Sequence, residues 1–186
     1  MSQQPAAIVF LDTEFTDLLH PELLSIGLVT LDGQELYVEL DLESDAGKSR
    51  VAASSNFVRY DGVLDLWGRI PGAKATEVEM GRRAGEWLLR LAGESGTQVD
   101  IAFDYSTDYE LLECVIRASG LWDRVRDIVV PTNVGDLVGS PEGDLAAEEC
   151  LREQRLRGLA RHHALADACA LRAAFIAVAR MSPPAR

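Results

Sequence analysis

The chain has 186 residues, of which 47% are hydrophobic and 26% charged, which fits one packed domain over residues 1–186 and excludes a disordered chain. No apolar run approaches the ~20 residues of a membrane span, so no membrane association is expected. A formal net charge of −12 argues against a broad basic surface that grips nucleic acid, though not against an enzyme that handles a short strand in a metal-filled cleft.

The opening "MSQQPAA" has no basic region, so we expect no secretory signal and a cytoplasmic protein. Residues 6–15 read as a strand. Pro21 interrupts, and "ELLSIGLVTL" (22–31) reads as a second strand. "DG" at 32–33 signals a two-residue hairpin, after which "QELYVELDL" (34–42) pairs back as a third strand. The polar stretch 43–55 reads as a loop, and 56–75 as irregular with one short helix. "TEVE" (76–79) is a capping box that opens a helix with Met80, Ala84, Trp87, Leu88 and Leu91 on its apolar side, and Gly93 suits its end.

"TQVDIAFD" (97–104) is a fourth strand. "TDYE" (107–110) is a second capping box, starting a helix with Leu111, Leu112, Val115 and Ile116 inward and Gly120 as its stop. "RDIVVPTNV" (126–134) is a fifth strand. "SP" at 140–141 starts a helix that runs to about 157, and a last helix spans about 164–180, before "SPP". Three hairpin-joined strands followed by alternating helix and strand predict an α/β fold, a mixed five-stranded sheet flanked by helices. Cys114, Cys150 and Cys169 form no CxxC pattern and read as small apolar residues. The arginines of "LREQRLRGLARHH" (151–163) read equally as a functional cluster or as a solvated face balancing Glu148, Glu149 and Glu153.

Alternate residues of a strand share a face, so Ile8, Phe10, Asp12 and Glu14 point the same way. Two like charges on one face of an apolar strand repel each other and lose hydration unless something compensates them. Asp108 falls in the first turn of its helix, and Asp167 lies one turn into the last helix, just after two histidines. Strand ends and helix starts gather at one edge of an α/β sheet, so these four acids can converge there. Hard divalent cations, Mg²⁺ or Mn²⁺, favour such oxygen-rich sites, and a pair about 3.5–4 Å apart suits in-line phosphoryl transfer.

With these motifs in hand, the chain resembles the DEDD superfamily of 3′–5′ exonucleases, which have a ribonuclease H-like fold. Asp12-Thr13-Glu14 resembles the first motif, "DYELL" from Asp108 the second, and "HHALAD", His162 to Asp167, the third. The third spacing is that of the histidine branch, similar to ribonuclease T, oligoribonuclease and the proofreading exonucleases. The resemblance covers the motif order and most of the element order, but not residues 43–75 or 130–160. It implies two divalent cations held by Asp12, Glu14, Asp108 and Asp167, with both metals sharing Asp12, and His162 as general base. Phe15 and Leu18 occupy positions that touch the terminal nucleotide in relatives, although either also reads as core.

Two assignments have rivals. Asp104 competes with Asp108; Asp108 is favoured because Leu111 and Leu112 follow it at the family's spacing, while Thr107 departs from the aromatic usual there. His163 competes with His162, because His163 and Asp167 would share a helix face. His162 lies about 140° away from Asp167 on a continuous helix, so it reaches Asp167 only from a loop before the helix. The function implied is a metal-dependent 3′–5′ exonuclease on single-stranded nucleic acid, RNA favoured, releasing nucleoside 5′-monophosphates. The alternatives are a DNA exonuclease and a silent nuclease-like protein-binding module. A homodimer is implied only by analogy with several relatives.

Overall fold

A computed structural model describes residues 7–181; residue 6 of the expected first strand, the rest of the opening "MSQQPA" and the "SPP" stop lie outside the described residues. The chain is α/β, with a mixed sheet flanked by helices on both faces. Strand β1 (Ala7–Phe15) pairs antiparallel with β2 (Leu23–Thr30), which pairs antiparallel with β3 (Glu35–Leu40). Helices α1 (Asp45–Ala53) and α2 (Asn56–Tyr60) and a 3-10 turn at Leu64–Leu66 follow, then the two-residue β4 (Lys74–Ala75). Next come α3 (Glu77–Ser95), β5 (Val99–Phe103), α4 (Ser106–Ala118), α5 (Trp122–Val125) and β6 (Val129–Asn133). Helices α6 (Gly135–Val138), α7 (Pro141–Leu156) and α8 (Ala164–Met181) complete the described chain.

The sheet order is β4-β3-β2-β1-β5-β6, six strands rather than the five expected. The extra strand is β4, parallel to the end of β3 at Glu39 and Leu40; two residues carry no alternation to read. The pleat divides β1 between two cores. Val9 and Leu11 pack with Met80, Leu88, Leu112 and Ile116 of α3 and α4. Phe10 packs the other way, with Leu171 and Ala174 of α8, and its ring lies 5.2 Å from that of Phe175.

Three further expectations are corrected. The loop expected at 43–55 contains α1, started by Ser44, whose side chain accepts from the Gly47 N–H at 3.0 Å. Its sequence has no apolar period; it is held instead by Arg50, which donates to the Leu23 carbonyl at 2.6 Å and pairs with Glu77 at 2.7 Å. Helix α3 does not end at Gly93 but runs to Ser95, and Gly96 closes it in the left-handed conformation at φ 65°. The capping box at 107–110 is not used: α4 starts at Ser106 after Tyr105, which makes no side-chain cap. The other capping residue, Thr76, does cap α3, accepting from the Glu79 N–H.

The stretch 56–75 is tied to the sheet edge. Trp67 Nε1 donates to the Leu40 carbonyl at 3.0 Å, and the Gly68 N–H donates to the buried Glu39 carboxylate at 3.0 and 3.1 Å. Part of the basic cluster is also tied down, since Arg157 grips Glu35 through two hydrogen bonds of 2.8 and 2.7 Å. The three cysteines are unpaired. No helix among the described residues is long and apolar enough to cross a membrane.

Candidate metal centre

Two local features set where the acids meet. First, β1 pairs with β5 only over Ala7–Phe10, so the two strands part before Asp12. The Thr13 N–H, facing the gap, donates to Asp108 Oδ1 at 3.1 Å, and the Thr13 hydroxyl donates to the same oxygen at 2.6 Å. Asp108 is therefore 3% exposed, seated against the strand from the first turn of α4. Second, Asp12 is in register with Gly27 of β2. A Cβ on Gly27 would lie 2.3 Å from the Ala164 carbonyl carbon and oxygen, so only glycine lets the start of α8 lie this close to the sheet. That close approach carries Asp167 over the C-terminal half of β1.

His162 stands in the turn before α8, at φ 70°, a left-handed conformation uncommon for a side-chain-bearing residue. Its N–H donates to Asp167 Oδ2 at 2.6 Å, which fixes that turn. Ligand atoms of Glu14, His162 and Asp167 all lie within 4.8 Å of one another, a set that could hold a metal ion. They line a cavity of about 710 Å³ together with Asp12, Asp104 and Arg161.

The rival residues have different surroundings. His163 is buried, its ring stacked on Tyr37 at 4.3 Å, with no hydrogen-bond partner for either ring nitrogen among the described residues. Burial holds its pKa down at about 4. Its imidazole neither lines the cavity nor bonds to the Asp167 carboxylate, which accepts from the His162 N–H; His163 meets Asp167 only through its carbonyl, which accepts from the Asp167 N–H at 3.1 Å. Asp104 is exposed on the cavity wall, whereas Asp108, the residue expected from the sequence, is buried against Thr13 and is not among the residues that line the cavity.

The electrostatics are unbalanced. Burial, with the charges of Asp167, Asp108, Glu14 and Asp104, raises the Asp12 carboxyl well above its usual range. Burial, then Asp167 and Asp108, lifts Glu14 to about 8. Burial outweighs the Thr13 hydrogen bonds and lifts Asp108 to about 7. Burial likewise lifts Asp167 to about 6 against the opposing His162 N–H and the Arg161 charge. His162 is pushed down, first by burial and then by Arg161, so its imidazole is neutral at neutral pH. Asp12 Oδ2 is buried with no hydrogen-bond partner among the described residues, an arrangement that costs free energy unless something positive meets it. A set of carboxylate oxygens with one imidazole fits a hard divalent cation such as Mg²⁺ or Mn²⁺.

Beside this cavity lies a mostly apolar pocket of about 440 Å³, lined by Phe15, Leu18, Phe57 and Val58 and sharing Glu14 and His162 with the acidic site. Leu18 is 75% exposed and Phe57 45% exposed, so neither is core. The Phe57 ring meets the His162 ring edge-on at 4.8 Å. Sequence reasoning missed Phe57 because it sits in the stretch without a periodic pattern. What places it is local: Ser55, the N-cap of α2, donates its N–H to the Thr16 carbonyl at 2.9 Å, tying α2 to the end of β1. Arg161 was seen only as one of a basic cluster.

Compared with known proteins, the chain matches no family model, and no curated protein matches it.

Proposed function

We propose that the chain is a metal-dependent 3′–5′ exonuclease of the DEDD histidine branch, with a ribonuclease H-like fold, acting on single-stranded nucleic acid. One observation carries the reading: Asp12, Glu14, Asp167 and His162 meet in one cavity, where a buried Asp12 oxygen has no donor among the described residues. The sheet supports it as well, since the two acids of β1 stand where a central strand leaves its parallel neighbour.

Asp12, Glu14 and Asp167 would hold the cations, with Asp108 contributing from its seat against Thr13. When bound, the cations supply charge neutralisation at the phosphate and at the leaving oxygen. His162, neutral at physiological pH, takes the proton of the attacking water; Asp167 holds the His162 turn by accepting its N–H. The water oxygen forms a bond to phosphorus, the bond to the 3′ oxygen breaks, that oxygen takes a proton from solvent to become the new 3′ hydroxyl, and a nucleoside 5′-monophosphate leaves. The terminal base rests in the pocket of Phe15, Leu18 and Phe57, at the wall that ends in His162. We take RNA or short oligonucleotides as the substrate class, because a net charge of −12 suits a short strand better than a long duplex.

The test is a 5′-labelled single strand, as matched RNA and DNA, incubated with Mn²⁺ and then with chelator. A ladder that shortens from the 3′ end with metal, and is lost with chelator and in Asp12→Asn, is the expected result. A strand left intact with both Mg²⁺ and Mn²⁺ would reject the reading and favour the silent binding module. Faster shortening of the DNA would make it a DNA exonuclease.

A further inference from the structure

Six carboxylates line the acidic cavity, those of Asp12, Glu14, Asp104, Asp144, Glu148 and Asp167, against the single guanidinium of Arg161. A phosphodiester brings another negative charge into that space. Cations on the acids offset part of the repulsion, but among the described residues of the wall only Arg161 offers a planar fork that matches phosphate oxygens.

Arg161 directly precedes His162, so the left-handed turn that aims the imidazole also sets the start of the arginine side chain. Its Nη2 is paired with Glu148 Oε1 of α7, which lines the same cavity. Both side chains are about half exposed, at 51% and 57%. An exposed pair of this kind contributes little net stability, so exchanging its anion costs little. The other ion pair of this segment differs: Arg157 is held by two short hydrogen bonds to Glu35, away from the cavity lining. Arg161 therefore has a weakly held partner and a position at the acidic centre, where its charge is felt by His162 and Asp167.

We propose that Arg161 grips the phosphate of a nucleotide in this cavity, and that Glu148 is its resting counter-ion, displaced when the phosphate arrives. Resting on the nuclease reading for its choice of ligand, the proposal adds a specificity-determining residue and a competing carboxylate on α7. Glu148 sets a threshold: a ligand without phosphate leaves the pair closed, and a phosphate trades places with the carboxylate.

The test measures binding of adenosine 5′-monophosphate and of adenosine by calorimetry in Mn²⁺, with the wild type, Arg161→Gln and Glu148→Gln. Expected are a tenfold or greater weakening of nucleotide binding in Arg161→Gln with adenosine unchanged, and a several-fold tightening of nucleotide in Glu148→Gln. Opposite directions in the two variants separate a phosphate grip from general damage. Equal nucleotide affinity in Arg161→Gln and wild type, an equal loss for nucleotide and nucleoside, or no nucleotide binding by the wild type would each overturn the proposal. The two readings fail separately. A metal-dependent ladder with unchanged KM and kcat in Arg161→Gln would remove the grip and leave the nuclease. Arg161-dependent nucleotide binding without any ladder would do the reverse.

Discussion

Replacing Gly27 by alanine tests whether the acidic centre depends on the close approach of α8 to the sheet. The added Cβ would lie 2.3 Å from two backbone atoms of Ala164 and 2.5 Å from the Leu165 amide nitrogen. Carbon contacts are comfortable at about 3.5 Å, so the helix start must retreat by roughly 1 Å. Backbone atoms cannot swing aside as a side-chain tip would, and overpacking of this kind costs about 1–3 kcal/mol. The displaced segment carries His162 and Asp167, while Asp12 stays in register with residue 27 on the sheet. A shift of about 1 Å at such a centre lowers a rate on the order of 100-fold. Urea unfolding followed by circular dichroism reads the stability loss, and the Mn²⁺-dependent ladder reads the activity loss. Gly93→Ala is the control: no atom outside the helix lies within 4 Å of its Cβ, so it should be neutral or stabilise by about 0.5–1 kcal/mol. A Gly27→Ala protein with the wild-type urea midpoint would refute the packing argument, whatever its activity.

Without metal, the raised carboxyls hold protons in the folded chain that the unfolded chain releases near pH ~4, so folding is favoured at low pH and stability falls as pH rises through the folded values. His163 opposes this only below about 6.5: its lowered pKa makes the unfolded chain bind the extra proton, so its contribution is lost as pH falls toward about 4. Above that window the lift of Glu14 to about 8 and of Asp108 to about 7 is unopposed, so the urea midpoint should fall from pH 6.5 to 8 in chelator and recover with Mn²⁺. A midpoint flat over that range would contradict the crowding of charge. Thr13→Val removes the hydroxyl donor to Asp108 while keeping the side-chain shape, and should cost about 1–3 kcal/mol by urea unfolding at pH 8, with Thr13→Ser restoring most of it. Equal midpoints for valine and serine would deny that bond its role. Phe57→Ala should raise KM for single strands about tenfold with kcat little changed, since the ring lines the apolar pocket; a drop in kcat alone would place it elsewhere in the reaction.

Strand β3 and helices α3 and α4 were readable because each carries a period. The alternation of β1 foretold that Asp12 and Glu14 share the face of Phe10, and the apolar spacing of α3 and α4 foretold the helices that cover the other face. Helix α1 was hidden because its residues are mostly polar and its anchor, Arg50, reaches a carbonyl 27 residues away in sequence. Within the candidate site, the requirement that His162 lie before the helix followed from turn geometry alone, and the chain does break there. The Thr13–Asp108 contact could not be read, because it depends on where β1 and β5 part. Phe57 and the Arg161–Glu148 pair depend likewise on how distant segments fold back, which no local pattern records.

The fork between the first and fifth strands has one more implication. A peptide amide left stranded by the parting of two neighbours is answered by an acid from the next helix, so a rung of the ladder is completed by a side chain. Asp108 is then mortar, and under the proposed activity it would be instrument as well: a chain that has paired its middle strands in the wrong frame cannot seat it. Under the proposed activity, an immature or misaligned molecule would be idle as well as fragile, and a destructive enzyme would gain its cutting edge only on completing its own assembly.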